Sequence, residues 1–196
     1  TVHGILCFRP LPAHIDEEIV KYYIDDKKDV DCFSPLSLAK IMSGDKRGFA
    51  PCTPMGVIEI LKYYDIDLRG KNVTVLGRSM VVGKPLSMLL LNRDSTVTIC
   101  HSKSKDLENI VKESDILVSC MGRAKAVDKS YIKEGAVVID VGINFDQEGK
   151  MCGDVDTDDV LERVSHITPV PGGVGSVTSS ILARHTLRAC IQLHDL

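Results

Sequence analysis

A glycine-bearing turn in the first half of the chain has the composition of a phosphate-binding site. Gly77-Arg78-Ser79 opens the turn and Gly83-Lys84-Pro85 closes it, between a β-branched apolar run and an apolar helical run. Glycines in this position let backbone N–H groups approach an anion at a helix N-terminus. The spacing differs from the usual G-x-G-x-x-G pattern, so a plain tight turn remains the alternative. We predict that this turn holds the pyrophosphate of a dinucleotide.

The residues after the following strand indicate which dinucleotide would bind. NAD sites usually place Asp or Glu there to hold the ribose 2′-hydroxyl, whereas this chain has His101-Ser102-Lys103-Ser104. Hydroxyl groups, a Lys and the nearby Arg78 suit a 2′-phosphate, because charged donors form strong hydrogen bonds to phosphate oxygens. The sequence therefore favours NADP over NAD, with a solvated loop as the alternative.

Two further segments contain residues suited to ligand contact. Pro171-Gly172-Gly173-Val174-Gly175 follows the last predicted strand, and its glycines let the backbone touch a flat ligand closely. A hinge or the start of a helix is the alternative for this loop. Lys28-Asp29-Val30-Asp31 is a charged turn in which one Asp would bind an amide-bearing heterocycle, unless the turn is only solvated surface.

Strands and helices alternate around these segments, as they do in parallel sheets. The strands predicted from short apolar runs are Asn72–Leu76, Thr96–Cys100, Asp115–Cys120, Ala136–Val141 and His166–Val170. The helices predicted between them are Lys84–Leu91 and Asp106–Lys112. This alternation predicts an α/β fold, a Rossmann-like doubly wound parallel sheet with right-handed crossovers.

Both ends of the chain predict a smaller, incomplete α/β lobe. Thr1–Cys7 is predicted as a buried strand, and the first residues suggest a chain that begins in the middle of a domain. The helices predicted for this lobe and its border are Asp16–Ile24, Ser34–Met42, Met55–Tyr64 with Thr53 as its N-cap, and Thr178–Leu193. We therefore divide the chain into a lobe of residues 1–53 with 176–196 and a dinucleotide-binding domain of residues 54–175.

Composition argues against several other classes of protein. Hydrophobic residues make up 44% of the chain and charged residues 26%, which is typical of a globular protein. The formal net charge is −3 without a long basic run, so we expect neither nucleic-acid nor membrane-surface binding. No apolar run reaches the roughly 20 residues of a membrane helix. The seven scattered cysteines indicate small core residues in a reducing cytoplasm, and we expect no metal site.

Several separated motifs occur in the order found in one protein family. They are His3-Gly4-Ile5-Leu6 with Pro10-Leu11-Pro12, Lys28-Asp29-Val30-Asp31, Pro51-Cys52-Thr53-Pro54, Gly77-Arg78-Ser79 with Val82-Gly83-Lys84-Pro85, Cys100-His101-Ser102, Val141-Gly142-Ile143-Asn144, Gly153-Asp154-Val155, and Thr168-Pro169-Val170-Pro171-Gly172-Gly173-Val174-Gly175. Over essentially all of its 196 residues the chain resembles methylenetetrahydrofolate dehydrogenase/methenyltetrahydrofolate cyclohydrolase.

The resemblance implies an activity, a cofactor and site residues. Family members oxidise 5,10-methylenetetrahydrofolate with NADP to the methenyl form, and many then hydrolyse that product to 10-formyltetrahydrofolate. They are usually homodimers that pair through the dinucleotide-binding domain. The implied cofactor-binding positions are Gly77, Arg78, Ser79, Ser102, Ile143 and Thr178. The implied substrate-binding positions are Cys7, Phe8, Arg9, Asp31, Pro171, Gly172, Gly173, Val174 and Gly175, with Asp31 as the catalytic-site residue that binds the pterin.

Departures from the family pattern concern mainly the hydrolysis. The family has an N-terminal segment, followed by a Tyr and a Lys that handles protons in the cyclohydrolase step, and no Lys of this sequence matches it. Phe8 stands at the position of a Gln that supports this Lys, and Arg9 at an apolar position. Phe cannot form that hydrogen bond, so we expect the hydrolysis to be more affected than the oxidation. Cys32 replaces a common Gly and Ser176 a common Pro.

Two alternative functions remain open at this point. A catalytically silent dinucleotide-binding fragment or assembly module would use the same turn without a complete substrate cleft. A dehydrogenase of another small metabolite, such as shikimate, would use the same two-lobe plan. Folate binding and NADP reduction distinguish these alternatives from the folate enzyme.

Overall fold

The centre of the computed structural model, which describes residues 2–194, is a five-stranded parallel sheet. The strands of the chain are β1 (Asn72–Leu76), β2 (Thr96–Cys100), β3 (Ile116–Ser119), β4 (Val137–Asp140), β5 (Asn144–Phe145), β6 (Met151–Cys152) and β7 (His166–Ile167). The order across the large sheet is β2-β1-β3-β4-β7, and β5 and β6 form a separate antiparallel hairpin. The direction of winding therefore reverses between β1 and β3.

Helices cover both faces of the sheet. They are α1 (Glu17–Val20), α2 (Pro35–Ser43), α3 (Cys52–Tyr63), α4 (Gly83–Leu91), α5 (Leu107–Lys112), α6 (Thr157–Val160) and α7 (Val174–His194), with a 3₁₀ turn at Lys129–Tyr131. Of the helices in residues 2–194, none has the length and apolarity needed to cross a membrane.

Alternating residues along the strands form two separate apolar cores. In β3, Ile116 and Val118 belong to one buried cluster, while Leu117 belongs to the other. The first cluster packs the sheet against α3 and α4 and also includes Val174 at the start of α7. Apolar residues on both faces explain why the strands read as continuous apolar runs. The predicted α/β doubly wound fold is confirmed. The division into two lobes stays a prediction, and the first cluster draws residues from both.

The extended segment predicted at Thr1–Cys7 does not form a strand over the residues described. Within it, Ile5 makes one isolated parallel bridge to Asp29, and its N–H donates to the Lys28 carbonyl at 2.7 Å. No longer strand forms here because the neighbouring segment, residues 26–28, is a turn and not an extended strand that could pair with it. The helix predicted at Asp16–Ile24 is likewise shorter, since Ile19 and its neighbouring apolar side chains are exposed and supply little packing.

Both helices that border the central sheet start earlier than predicted. α3 begins at Cys52, so Thr53 lies in its first turn instead of capping it. α7 begins at Val174, so Val174 and Gly175 are helical and the glycine-rich loop ends at Gly173. The final strand is shorter than predicted, because Pro169 has no N–H to continue the ladder. The β5–β6 hairpin was not predicted.

Two adjacent leucines of α4 test the packing of this core. Leu90 is 0% exposed and Leu91 is 52% exposed, so replacing each by Ala changes helix propensity equally but burial very differently. We expect Leu90→Ala to lower the free energy of unfolding by about 2–5 kcal/mol. Leu91→Ala should change it by no more than about 0.5 kcal/mol. Urea unfolding followed by circular dichroism measures both, and equal effects would contradict the described packing.

Candidate functional site

The predicted phosphate-binding turn lies where the sheet reverses its winding. Residues 77–82 follow β1 and residues 120–123 follow β3, and these two strands are neighbours with Leu76 paired to Ser119. Connections that leave adjacent strands toward opposite faces open a crevice at the carboxyl ends of the strands. Open α/β sheets bind their ligands at this place. The topology thus puts the glycine turn at the position expected for a dinucleotide site.

Gly77 joins three strand ends at this crevice. Its N–H donates to the Cys100 carbonyl at 2.9 Å, and its φ of 131° lies in a region that L side chains rarely adopt. A Cβ at Gly77 would also lie 2.5 Å from the Cys120 carbonyl oxygen. Any larger residue would therefore push the turn after β1 away from the loop after β3.

The N-terminus of α4 faces this turn and is suited to an anion. α4 starts at Gly83, and among the residues described no side chain caps this end. Pro85 in the first turn has no N–H to leave unsatisfied. The turn itself is shaped by the Ser79 hydroxyl, which accepts from the Val82 N–H at 3.1 Å. The Lys84 N–H donates to the Ser79 carbonyl at 3.0 Å and the Leu86 N–H to the Val82 carbonyl at 2.9 Å, so it is mainly the helix dipole that favours a bound phosphate here.

Arg78 and Ser102 occupy equivalent positions at the ends of paired strands. Leu76 pairs with Cys100 in the β1–β2 register, so Arg78 and Ser102 each lie two residues beyond a paired position. Both side chains are exposed. The loop that carries Ser102 is folded by the His101 N–H, which donates to Ser104 Oγ at 3.0 Å. A cation and a hydroxyl are thus presented together at the β1–β2 corner.

A cavity of about 590 Å³ lies at the carboxyl edge of the sheet and brings several predicted site residues together. Its lining comes from the loop after β4, the glycine-rich loop and the first turns of α7. The predicted residues in the lining are Ile143, Pro171, Gly172, Gly173, Val174, Gly175 and Thr178. Val82, from the predicted phosphate-binding turn of residues 77–82 (the phosphate turn), and Thr53, from α3, complete one side of the cavity. The phosphate turn and the glycine-rich loop therefore open onto the same cavity.

Two buried carboxylates, to which the sequence analysis gave no role although Asp154 lies in one of the quoted motifs, shape the loops around this cavity. Asp154 accepts from the Met121 N–H at 2.6 Å, the Arg123 N–H at 2.8 Å, the Ser119 hydroxyl and the Asn144 amide. This one side chain fixes the loop after β3 against the hairpin that follows β4. A carboxylate with this many donors is fully satisfied despite its complete burial.

Asp140, the last residue of β4, extends the same network. Its carboxylate accepts from the backbone N–H groups of Gly142, Asp154 and Val155 at 2.8–3.0 Å. Burial raises the pKa of Asp140, and the three N–H groups oppose that shift. A Cβ at Gly153 would collide with the Asp140 carboxylate, so the hairpin can approach only through glycine. An Asp that ends an apolar strand was the available sequence signal.

The charged turn at residues 28–31 contains two aspartates with different surroundings. Asp29 is fully buried and accepts from the Phe33 and Ser34 N–H groups, both at 2.8 Å. Asp31 is half-buried, and its Oδ1 accepts from the Cys52 N–H at 2.7 Å at the start of α3. Asp31 is thereby hydrogen-bonded to Cys52, the first residue of α3, and the next residue of that helix, Thr53, lines the cavity.

The residue after Asp31 explains a departure noted in the sequence. Cys32 has a φ of 57°, in the left-handed region that glycine adopts without strain. A non-glycine residue there costs roughly 1–2 kcal/mol, and Cys32 is buried among apolar neighbours that offset this cost.

Besides Asp31, three predicted substrate residues lie apart from the cavity lining formed by residues 2–194. Phe8 is 80% exposed, and Cys7 is half-buried. The Arg9 guanidinium lies 4.9 Å from the centre of the Phe33 ring and 3.4 Å from the Glu17 carboxylate. The structure thus places Arg9 against Phe33 and Glu17 rather than in the cavity.

Comparison with protein families and known proteins gives a consistent result. Residues 51–194 match the family model described as the tetrahydrofolate dehydrogenase/cyclohydrolase, NAD(P)-binding domain. The bifunctional protein FolD of Clostridioides difficile (strain 630) is 66% identical over 189 residues, which cover 96% of this chain and 66% of that protein. The chain therefore spans slightly less than two thirds of this relative's length.

Solved structures show the same similarity. The bifunctional FolD dehydrogenase/cyclohydrolase of Campylobacter jejuni superimposes with a TM-score of 0.94 at 43% identity, covering 96% of this chain and 67% of that one. The Trypanosoma brucei dehydrogenase-cyclohydrolase, solved with NADP cofactor and inhibitor, gives a TM-score of 0.89 at 40% identity, covering 95% and 66%.

The Asp154 network can be tested by one conservative substitution. In Asp154→Asn an amide NH₂ replaces an oxygen that accepts hydrogen bonds, so donors face a donor. We expect a loss of about 1–3 kcal/mol in the free energy of unfolding, and faster hydrogen exchange at the Met121 and Arg123 amides. The exposed Asp158 provides the control Asp158→Asn, which should change neither. Unchanged exchange at both amides in Asp154→Asn would show that the network does not hold the loop.

Proposed function

The chain belongs to the tetrahydrofolate dehydrogenase/cyclohydrolase family, and we propose that the protein oxidises 5,10-methylenetetrahydrofolate with NADP to the methenyl form. The observation that carries this proposal is the shared cavity, into which the phosphate turn, the loop after β4 and the glycine-rich loop all open. A dinucleotide lying across the crevice at β1 and β3 would bring its nicotinamide ring to this cavity.

The proposed cofactor is NADP rather than NAD. The uncapped start of α4 fits the pyrophosphate, and Gly77 and Ser79 lie in the turn that would surround it. Arg78 and Ser102, which follow paired strand ends, are proposed to bind the 2′-phosphate. Ile143 and Thr178 line the cavity and are proposed to contact the nicotinamide side. The NADP-bound relative from T. brucei supports this choice.

The proposed folate site runs from Asp31 to the glycine-rich loop. A carboxylate has acceptor capacity for several donors, so Asp31 can accept from the pterin while it accepts from the Cys52 N–H. Pro171, Gly172, Gly173, Val174 and Gly175 are proposed to contact the substrate from the cavity side. Cys7, Phe8 and Arg9 are proposed to border it within the lobe of residues 1–53 and 176–196.

The chemistry of the oxidation makes modest demands on the protein. NADP, when bound, accepts the hydride that leaves the folate methylene carbon. The N5 and N10 lone pairs of the substrate stabilise the resulting cation, so the side chains mainly have to orient the two reactants and exclude water. Productive transfer needs the reacting carbons about 3–3.5 Å apart, and the closely packed loops at Gly77 and Gly153 provide that rigidity.

Hydrolysis of the methenyl product to 10-formyltetrahydrofolate is the second reaction proposed for the protein. It requires proton transfer to or from water, which typically contributes 10²–10⁴-fold to the rate. Phe8 offers no hydrogen bond to a proton-transferring Lys, so we propose that the oxidation is the stronger of the two activities.

We propose that the protein acts as a homodimer in the cytoplasm. The two chains would pair through the dinucleotide-binding domain of residues 54–175. β2 is an edge strand of the sheet, and its side chains at Thr96 and Thr98 are exposed. An exposed edge strand can pair with a strand of another chain or be covered by it.

The activity is tested with the full gene product. We expect NADPH formation, followed by its absorbance, when the protein receives NADP and methylenetetrahydrofolate. Asp31→Ala should lower kcat/KM for the folate by about ten- to a hundredfold, because a charged hydrogen bond is lost, while NADP binding measured by calorimetry stays the same. A wild-type protein that binds NADP but forms no NADPH would refute the proposed reaction.

The choice of cofactor is tested at Arg78. Arg78→Ala should weaken NADP binding by about ten- to a hundredfold through the loss of a charge-assisted hydrogen bond, and leave NAD binding nearly unchanged. Arg69 is also exposed but lies before β1, at the opposite edge of the sheet, so Arg69→Ala is the matched control. Equal losses for NADP and NAD in Arg78→Ala would exclude the 2′-phosphate contact.

A further inference from the structure

Three side chains that are remote in the sequence meet beside the last turns of α7. The ligand atoms of His3, Cys190 and His194 all lie within 4.8 Å of one another. The two histidine Nε2 atoms are 3.0 Å apart, although the residues are 191 positions apart in the chain. Imidazole nitrogen and thiolate sulfur are the ligands that Zn²⁺ favours in proteins. We propose that these three side chains form a Zn²⁺ site, contrary to the sequence-based expectation of none.

Two of the three proposed ligands are brought together by the regular spacing of residues along α7. Cys190 and His194 are four residues apart in α7, so their side chains lie on the same face, one turn apart. Thr186 precedes Cys190 by the same interval and lies on that face too. Two ligands on one regular helix need no rearrangement of the backbone to reach a common ion.

The third ligand is brought to this face by close packing of the backbone. A Cβ at Gly4 would lie 3.3 Å from Thr186 Oγ1 and 3.0 Å from Val30 Cγ1, so the chain runs tightly between α7 and the turn at Val30. The hydrogen bond that the Ile5 N–H donates to the Lys28 carbonyl holds residues 3–5 in this position. His3, next to Gly4, is therefore held over the turns of α7 that follow Thr186.

The distances fit tetrahedral coordination after small shifts. Zn–N bonds of about 2.0–2.1 Å and a Zn–S bond of about 2.3 Å place two nitrogens roughly 3.3 Å apart, and a nitrogen and a sulfur roughly 3.6 Å apart. As the Zn–S bond forms, the Cys190 thiol gives its proton to the buffer, and the histidines bind through neutral Nε2. Water completes the fourth position.

Such an ion would fasten α7 to residues 3–5, next to the turn that carries Asp29 and Asp31. None of its three residues lines the cavity described above, and the site does not depend on the proposed reaction. Its role would be to stabilise the lobe built from the two chain ends.

Metal titration of the purified full chain tests the proposal, with Co²⁺ as a spectroscopic probe for Zn²⁺. We expect one Co²⁺ per chain, a thiolate-to-cobalt charge-transfer band, and displacement of Co²⁺ by Zn²⁺. His3→Ala and Cys190→Ser should each weaken Zn²⁺ binding about a hundredfold or more, and Cys190→Ser should abolish the band. The matched controls are His14→Ala, at an exposed histidine, and Cys120→Ser, at a cysteine half-buried like Cys190. Wild-type protein without the band, or equal losses in the controls, would overturn the site.

Thiol labelling of the unmodified chain gives a second measurement that does not depend on variants. Zn²⁺ should slow alkylation of Cys190 but not of Cys7, which is also half-buried. Peptide mass mapping reads both rates, and equal rates at Cys190 with and without Zn²⁺ would overturn the proposal.

Discussion

Two buried carboxylates, Asp140 and Asp154, hold together the carboxyl edge of the sheet, on which the proposed binding of the dinucleotide depends. Between them they accept hydrogen bonds from five backbone N–H groups and two side chains. This network of hydrogen bonds satisfies both buried carboxylates and sets the shape of the carboxyl edge. It determines where the loops after β3 and β4 stand relative to the crevice.

That shape connects the fold to the chemistry. Parallel strands ending at the same edge bring the turn after β1, the loop after β4 and the glycine-rich loop to one side of the molecule. Close approach at Gly77 keeps the phosphate turn against the loop after β3. α3 and α7 then bring Thr53 and Thr178 to the cavity from the two chain ends. The proposed cofactor and substrate positions therefore share one cavity between closely packed loops.

Much of this arrangement was predictable from local patterns. The strands of the central sheet and the turn at Gly77 follow from apolar runs and glycine positions that act over a few residues. The elements near the chain ends were predicted less well because their structure depends on distant partners. α3 begins at Cys52 because Asp31 accepts its N–H from another segment, and the extended run at Ile5 meets a turn instead of a strand.

The candidate site shows the same contrast. Residues of the glycine turns carry a local signal, whereas Asp140 and Asp154 act through donors that lie 2 to 35 positions away in the chain. No periodicity reveals such a pairing. The cluster of His3, Cys190 and His194 is a more extreme case, since only the packing of the two chain ends against each other brings those side chains together.

The central claim is that a dinucleotide binds across the crevice between β1 and β3 with its nicotinamide ring in the cavity of the glycine-rich loop. A crystal structure of the protein with NADPH tests it most directly. We expect the pyrophosphate at the start of α4, the 2′-phosphate between Arg78 and Ser102, and the nicotinamide ring beside Ile143 and Gly173. A dinucleotide bound elsewhere, or with its ring outside that cavity, would contradict it.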